Sequence, residues 1–242
     1  MPMMTRRRFV AAAGAAAVLV LAGCARPASD APAQPAPAGA EEASRQPQDV
    51  DASPAEGSTA PALAVSAAFD IARGRVALGN GMTMPTNGLG TYSLYDQTCV
   101  DSVRAALASG VRLIDTAHIY GNEAEVGRAV RESGVPREDV FVITKLHPSQ
   151  FGNGDQAIEE ALAKLGLGFI DLMLLHHSGS GDVEAYRAIE RAIAAGTVRA
   201  AGLSCFYRDE LTRFLPEVSV KPVLVQNGVH PYYQDAEVVP FI

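Results

Sequence analysis

Five short apolar runs alternating with amphipathic helical patterns predict an α/β fold, with parallel strands inside and helices outside. Two further observations narrow it. Each run ends on a polar residue, in order Asp115, Lys145, His176, Ser204 and Gln226, and the first turn lacks a G-x-G-x-x-G. A doubly wound open sheet would also gather its strand ends. A (β/α)8 TIM barrel sets them around one rim, so residues more than a hundred positions apart would line one pocket. The expectation is an incomplete barrel with about five of its eight βα units, preceded by an N-terminal β-hairpin.

The hairpin is residues 75–85, RVALGNGMTMP, where apolar residues flank Gly79, Asn80 and Gly81, a trio that tolerates positive φ. A helix over 98–109 follows from Val100, Val103, Ala106 and Leu107, and Gly110 stops it. The first strand, 111–114, ends at Asp115. A second helix spans 123–133, closed by Gly134 and Pro136, before a β-rich run over 140–144. Asp155 can cap a third helix bearing Ile158, Ala161, Leu162 and Leu165, and the run 169–175 ends in His176. Val183, Tyr186, Ile189, Ala192 and Ile193 mark a fourth helix, followed by a strand over 198–203. Leu211, Phe214 and Leu215 mark a short fifth helix ahead of the run 223–225.

The chain before the hairpin reads differently. Arg6, Arg7 and Arg8 followed by an apolar run over 10–21 have the layout of an export signal, over residues 1–23, too short to span a bilayer. Leu21, Ala22, Gly23 and Cys24 resemble a bacterial lipobox, and the arginines before Phe9 resemble a twin-arginine signal. The expected location is the extracytoplasmic face of the bacterial cell membrane, with a lipid anchor on Cys24. Residues 24–74 are rich in Ala, Pro, Gln, Ser and Glu, a composition that cannot bury enough surface to offset its ordering entropy, and are expected to form a disordered tether. Residues 75–242 are the folded part.

Hydrophobic residues make up 48% of the chain and charged ones 19%, enough apolar content for a sizeable core. The formal net charge of -7 argues against nucleic acid as a partner, since phosphate binding needs clustered Lys and Arg. With Cys24 assigned to the lipobox, the spacing of Cys99 and Cys205 suggests no disulfide, and no Cys and His cluster has zinc spacing, so no metal is expected. Oligomeric state leaves no signal in the sequence.

The stretch 110–127, GVRLIDTAHIYGNEAEVG, closely resembles the first signature of the aldo-keto reductases, with Val111 where the pattern has an aromatic residue. LGTY near Gly88, ITKL around Lys145, DLMLLH around His176, GLSCF around Ser204 and VLVQNGVHPY around Gln226 extend the resemblance in order. It implies a (β/α)8 barrel that reduces aldehydes and ketones with NADPH, or with NADH as the alternative, on a small carbonyl substrate. It also implies a catalytic tetrad of Asp115, Tyr120, Lys145 and His176. By the same similarity Ser204 and Gln226 hold the nicotinamide carboxamide, with Thr91, Tyr92 and Asp115 beside it. Cys205 stands where the family has Asn, and a thiol is a weaker hydrogen-bond partner than an amide. Tyr92, His176 and His177 would face substrate, His177 replacing a Trp, while His118, His147 and His230 would be loop residues.

These types suit carbonyl reduction, in which hydride reaches carbon while a proton reaches oxygen. Tyr120 would be the acid, and Lys145, held charged by Asp115, would lower the phenol from its ordinary value of about 10. A neutral His176 would donate to the carbonyl. The alternative reading is a non-catalytic lipoprotein that keeps the barrel as a binding or scaffold module, or an inactive gene fragment.

Overall fold

A computed structural model describes residues 69–228. The expected leader, Cys24, nearly all of the expected tether and His230 lie outside the described residues.

Two sheets organise the described chain. Strands β1 (Phe69–Asp70), β2 (Arg75–Ala77) and β3 (Thr83–Pro85) form a small antiparallel sheet. The expected hairpin is β2 and β3, and its loop turns on Gly81 at φ 85°, with the Asn80 side chain accepting from the Met82 N–H at 3.1 Å. Because Phe69 and Asp70 pair with Val76 and Arg75, regular structure begins ahead of the boundary expected at residue 75.

The larger sheet holds six parallel strands in chain order: β4 (Leu89–Gly90), β5 (Leu113–Asp115), β6 (Phe141–Leu146), β7 (Leu172–Leu175), β8 (Ala201–Ser204) and β9 (Val225–Gln226). Helices α1 (Asp96–Ala108), α2 (Glu123–Glu132), α3 (Gly154–Leu165), α4 (Asp182–Ala194) and α5 (Arg208–Phe214) connect them, one per crossover. This is a curled half-barrel. The expected strand runs all appear, and β4 is an addition to them.

Strand alternation divides the sheet into two packed faces. Ile114, Val142, Met173, Leu175, Ala201 and Leu203 point outward and merge with the apolar stripes of the helices. Leu113, Phe141, Ile143, Leu172, Leu174 and Ala200 point inward, where Leu78 and Met84 from the hairpin close over them. Each inner side chain that leaves water is worth roughly 1.5–3 kcal/mol, so the hairpin secures the floor of the half-barrel. The outer layer is packed to backbone distance in one place. A Cβ on Gly127 of α2 would lie 1.9 Å from the Leu165 carbonyl oxygen at the end of α3, so only glycine lets those helices meet. Cys99, inside α1, is a free buried thiol and is not bonded to Cys205.

Candidate active site

Continuing the alternation upward brings the chemistry to one place. On β5, Leu113 and Asp115 share a face, as do Phe141, Ile143 and Lys145 on β6. The same parity carries His176 just past β7, Ser204 at the end of β8 and Gln226 at the end of β9. Parallel pairing of Asp115 with Ile143 and of Lys145 with Leu174 steps the first three ends upward by two residues per strand, and pairing of Ser204 with Gln226 holds the last two level. All five polar strand ends therefore meet above the apolar floor, and all five are buried.

Tyr120 reaches them from outside the sheet. After Asp115 the chain makes a 3-10 turn, His118–Tyr120, which Gly121 ends in the left-handed region at φ 67°. The turn brings the Tyr120 hydroxyl to 3.5 Å from Lys145 Nζ. That ammonium also donates to Asp115 Oδ1 and, at 3.0 Å, to the Thr116 carbonyl, so its three protons have three acceptors. Gln226 Nε2 donates to Asp115 Oδ2 at 2.9 Å, fixing the carboxylate from its other side. The Tyr120 ring meets Tyr92 at 5.2 Å and His176 at 5.7 Å, both edge to face. His176 itself keeps a buried Nδ1 with no hydrogen-bond partner.

The electrostatics depart from expectation at Tyr120. Burial, then the negative charge of Asp115, then Tyr92 push its phenol well above the ordinary value, whereas Lys145 was expected to lower it. The physical reason is that the Lys145 charge is already spent on Asp115, and the phenol lies next to both. Lys145 is drawn below its ordinary value by burial, against the opposing pull of Asp115. Burial, together with the charges of Lys145, His177 and His147, takes His176 down to about 3. It is therefore neutral at pH 7, the form able to donate from one ring nitrogen and accept at the other.

Other expected residues are placed as follows. Thr91 is fully buried, and its hydroxyl donates to the Asp115 carbonyl at 3.1 Å, tying β4 to β5. Tyr92, more than half exposed, stands at the rim. Ser204 Oγ lies 3.6 Å from Cys205 Sγ, and Cys205 adopts φ 53°, a left-handed conformation in which Asn is several-fold enriched among non-glycine residues. His177 stacks flat on His176 at 4.8 Å, because β7 ends at Leu175 and after His176 alternation no longer sends the next side chain to the opposite face. His147, a loop residue as expected, has its ring centred 6.3 Å from that of His176.

Asn122 was not anticipated. Wholly buried, it donates to the Thr91 and Leu94 carbonyls at 2.8 and 2.9 Å and accepts from the Thr116 hydroxyl at 2.7 Å. It thereby clamps the loop after β4 to the Tyr120 turn. The only signal in the sequence is an Asn just before an acidic helix start, and that reads equally as a cap.

The family model for the aldo/keto reductase family matches residues 77–242. The chain belongs to the aldo/keto reductase family. An aldo-keto reductase from Mycobacterium avium (strain 104) is 42% identical over 167 residues, covering 67% of this chain and 58% of its own length. Morphine 6-dehydrogenase from Pseudomonas putida is 37% identical over 161 residues, covering 64% of this chain and 54% of its own. The chain thus spans little more than half the length of these curated relatives. The crystal structure of an aldo/keto reductase from Brucella melitensis superposes with a TM-score of 0.67 at 37% identity, covering 69% of this chain and 67% of that one. For this reductase-family chain the half-barrel and its rim are therefore the family's fold in part.

Proposed function

We propose that the protein is a nicotinamide-dependent oxidoreductase that reduces aldehyde or ketone carbonyls to alcohols, with Tyr120 as general acid. One observation carries the reading: Asp115, Tyr120, Lys145 and His176, brought from four segments, converge on one rim position through direct contacts. The cofactor, when bound, supplies hydride to the carbonyl carbon. Ser204 and Gln226 fit its carboxamide, because a hydroxyl can donate to the amide C=O while Gln226, one N–H of which is given to Asp115, keeps a carbonyl oxygen for the amide NH2.

Tyr120 holds its proton across the physiological range, as a donor must, and releases it to the carbonyl oxygen as charge develops there. Lys145, already within hydrogen-bonding reach, then stabilises the phenolate, and Asp115 keeps the ammonium in place. Neutral His176 donates to the same carbonyl oxygen and orients it. NADPH is the proposed nucleotide.

The test is NADPH oxidation by the purified chain with a simple aldehyde, with the alcohol identified as product. A second reading, a binding or scaffold module, is favoured by Cys205 at the nicotinamide end of β8. Quenching of NADPH fluorescence without alcohol formation would select it. On the leader pattern we further propose export and lipid anchoring at Cys24. Incorporation of labelled fatty acid that survives Cys24→Ala would overturn that part.

A further inference from the structure

Glu123 is a buried acid that the reduction chemistry leaves unused. It opens α2 three residues after Tyr120 and is only 2% exposed. An acid in a first helical turn is served by the helix dipole and by water, and Asp96 of α1 and Asp155 of α3 stand in that position exposed. Glu123 turns inward instead. Its Oε1 accepts from the Thr144 hydroxyl at 2.6 Å, while Lys164, nearly half-exposed, stands 3.8 Å from Oε2. Thr144 is wholly buried on the outer face of β6, one residue before Lys145, which points to the inner face. One hydrogen bond thus joins the segment that carries the phenol to the strand that carries the ammonium. The other end of that segment is closed as well, since the Thr116 hydroxyl donates to Asn122 Oδ1 at 2.7 Å and the Thr116 carbonyl accepts from Lys145 at 3.0 Å.

We propose that Glu123 is a positioning residue for the proton transfer, its bond to Thr144 fixing the separation between the Tyr120 hydroxyl and Lys145 Nζ; this rests on the carbonyl-reduction reading of the same site.

That separation is sensitive to small movements. Lys145 is held by Asp115 and the Thr116 carbonyl, whereas the Tyr120 hydroxyl stands 3.5 Å from it, at the outer limit of a hydrogen bond. A slight outward shift of the start of α2 breaks the contact, and the phenolate formed in the reaction then loses its ammonium. The apolar stripe of α2, Val126, Ala129 and Val130, holds the helix on the sheet by non-directional burial, so the register comes from the hydrogen bond.

The experiment compares Glu123→Leu, which removes the acceptor, with Glu123→Gln, whose amide oxygen still accepts from Thr144. Two readouts are taken on the full chain. One is the Tyr120 ring resonance in carbon-13 tyrosine-labelled protein at neutral pH, assigned by its loss in Tyr120→Phe. The other is NADPH-dependent reduction of benzaldehyde, with its solvent deuterium isotope effect. Glu123→Leu is expected to move the resonance and to lower kcat by about 10- to 100-fold, with KM for benzaldehyde and affinity for NADPH within about twofold of wild type. It should also enlarge the isotope effect, because proton transfer becomes the slower step. Glu123→Gln should match wild type in each readout. An unmoved resonance in folded Glu123→Leu, a kcat or isotope effect that stays at the wild-type value, or a Glu123→Gln protein as slow as Glu123→Leu overturns the positioning role and leaves the carbonyl-reduction reading standing. If Glu123→Leu does not fold, Thr144→Val, which replaces the donor hydroxyl by a methyl group, decides by the same readouts. Absence of turnover in the wild-type chain overturns the carbonyl-reduction reading and the positioning role with it.

Discussion

The floor and the rim of the half-barrel each bury an ion-paired carboxylate, and only one of them is built for proton transfer. At the floor, Asp171 accepts from Arg137 at 2.7 Å, from Arg199 at 3.2 Å and from the Val142 N–H at 3.0 Å. Both guanidinium groups also lie over the Phe169 ring, at 3.9 and 3.6 Å. Guanidinium groups do not titrate in proteins, so both cations of this cluster are locked in one charge state. At the rim, Asp115 is held by an ammonium that burial already weakens, next to a phenol and an imidazole that each favour the neutral form. A buried pair that can move a proton needs Lys rather than Arg, and groups whose neutral and charged forms lie close in energy.

Breaking each pair sharpens the contrast. Lys145→Met leaves the Asp115 carboxylate buried without its cation, which costs about 3–5 kcal/mol and should appear as a large fall in Tm together with loss of turnover. Adding Asp115→Leu to that variant should recover most of the stability and none of the activity, because an apolar pair of similar volume replaces the ion pair. A double variant as unstable as the single one would contradict the pairing argument. The floor responds in stability alone. Asp171→Asn should cost about 3 kcal/mol in denaturant unfolding, toward the low end because Arg199 is partly solvated, while turnover per folded molecule stays unchanged. Loss of turnover in a folded Asp171→Asn protein would mean that the floor takes part in the chemistry.

A smaller effect separates the regions by pH. His176 titrates near 3 when folded and near 6.5 when unfolded, so the unfolded chain binds the extra proton between those values. Its contribution is therefore fully present above about pH 6.5 and is lost as pH falls toward 3. His176→Gln should flatten the decline of Tm between about pH 6.5 and pH 4.5, above most carboxylate titrations. An unchanged slope would show that His176 is not held neutral by its surroundings.

Much of this was legible in the sequence. The five apolar runs, their polar ends and the glycines that close the helices follow from periodicity and turn chemistry, which are local. Strand parity then placed Asp115, Lys145, His176, Ser204 and Gln226 on one side. What escaped was short or collective. Strand β4 is only Leu89 and Gly90, too brief for any alternation, and β1 lies in a stretch whose composition reads as linker. The roles of Asn122 and Thr91 come from hydrogen bonds across about thirty residues, which no spacing encodes. The direction in which Tyr120 shifts was misread, since a nearby Lys145 predicts a lower value unless its charge is known to be spent on Asp115.

The most direct measurement is aldehyde reduction by Tyr120→Phe, which keeps the ring contacts with Tyr92 and His176 and removes only the donor. With NADPH binding unchanged, alcohol formation is expected to fall by about 10²–10⁴-fold relative to the wild-type chain. Turnover within a few-fold of wild type would contradict the account, because the proton would then have to reach the carbonyl oxygen from elsewhere.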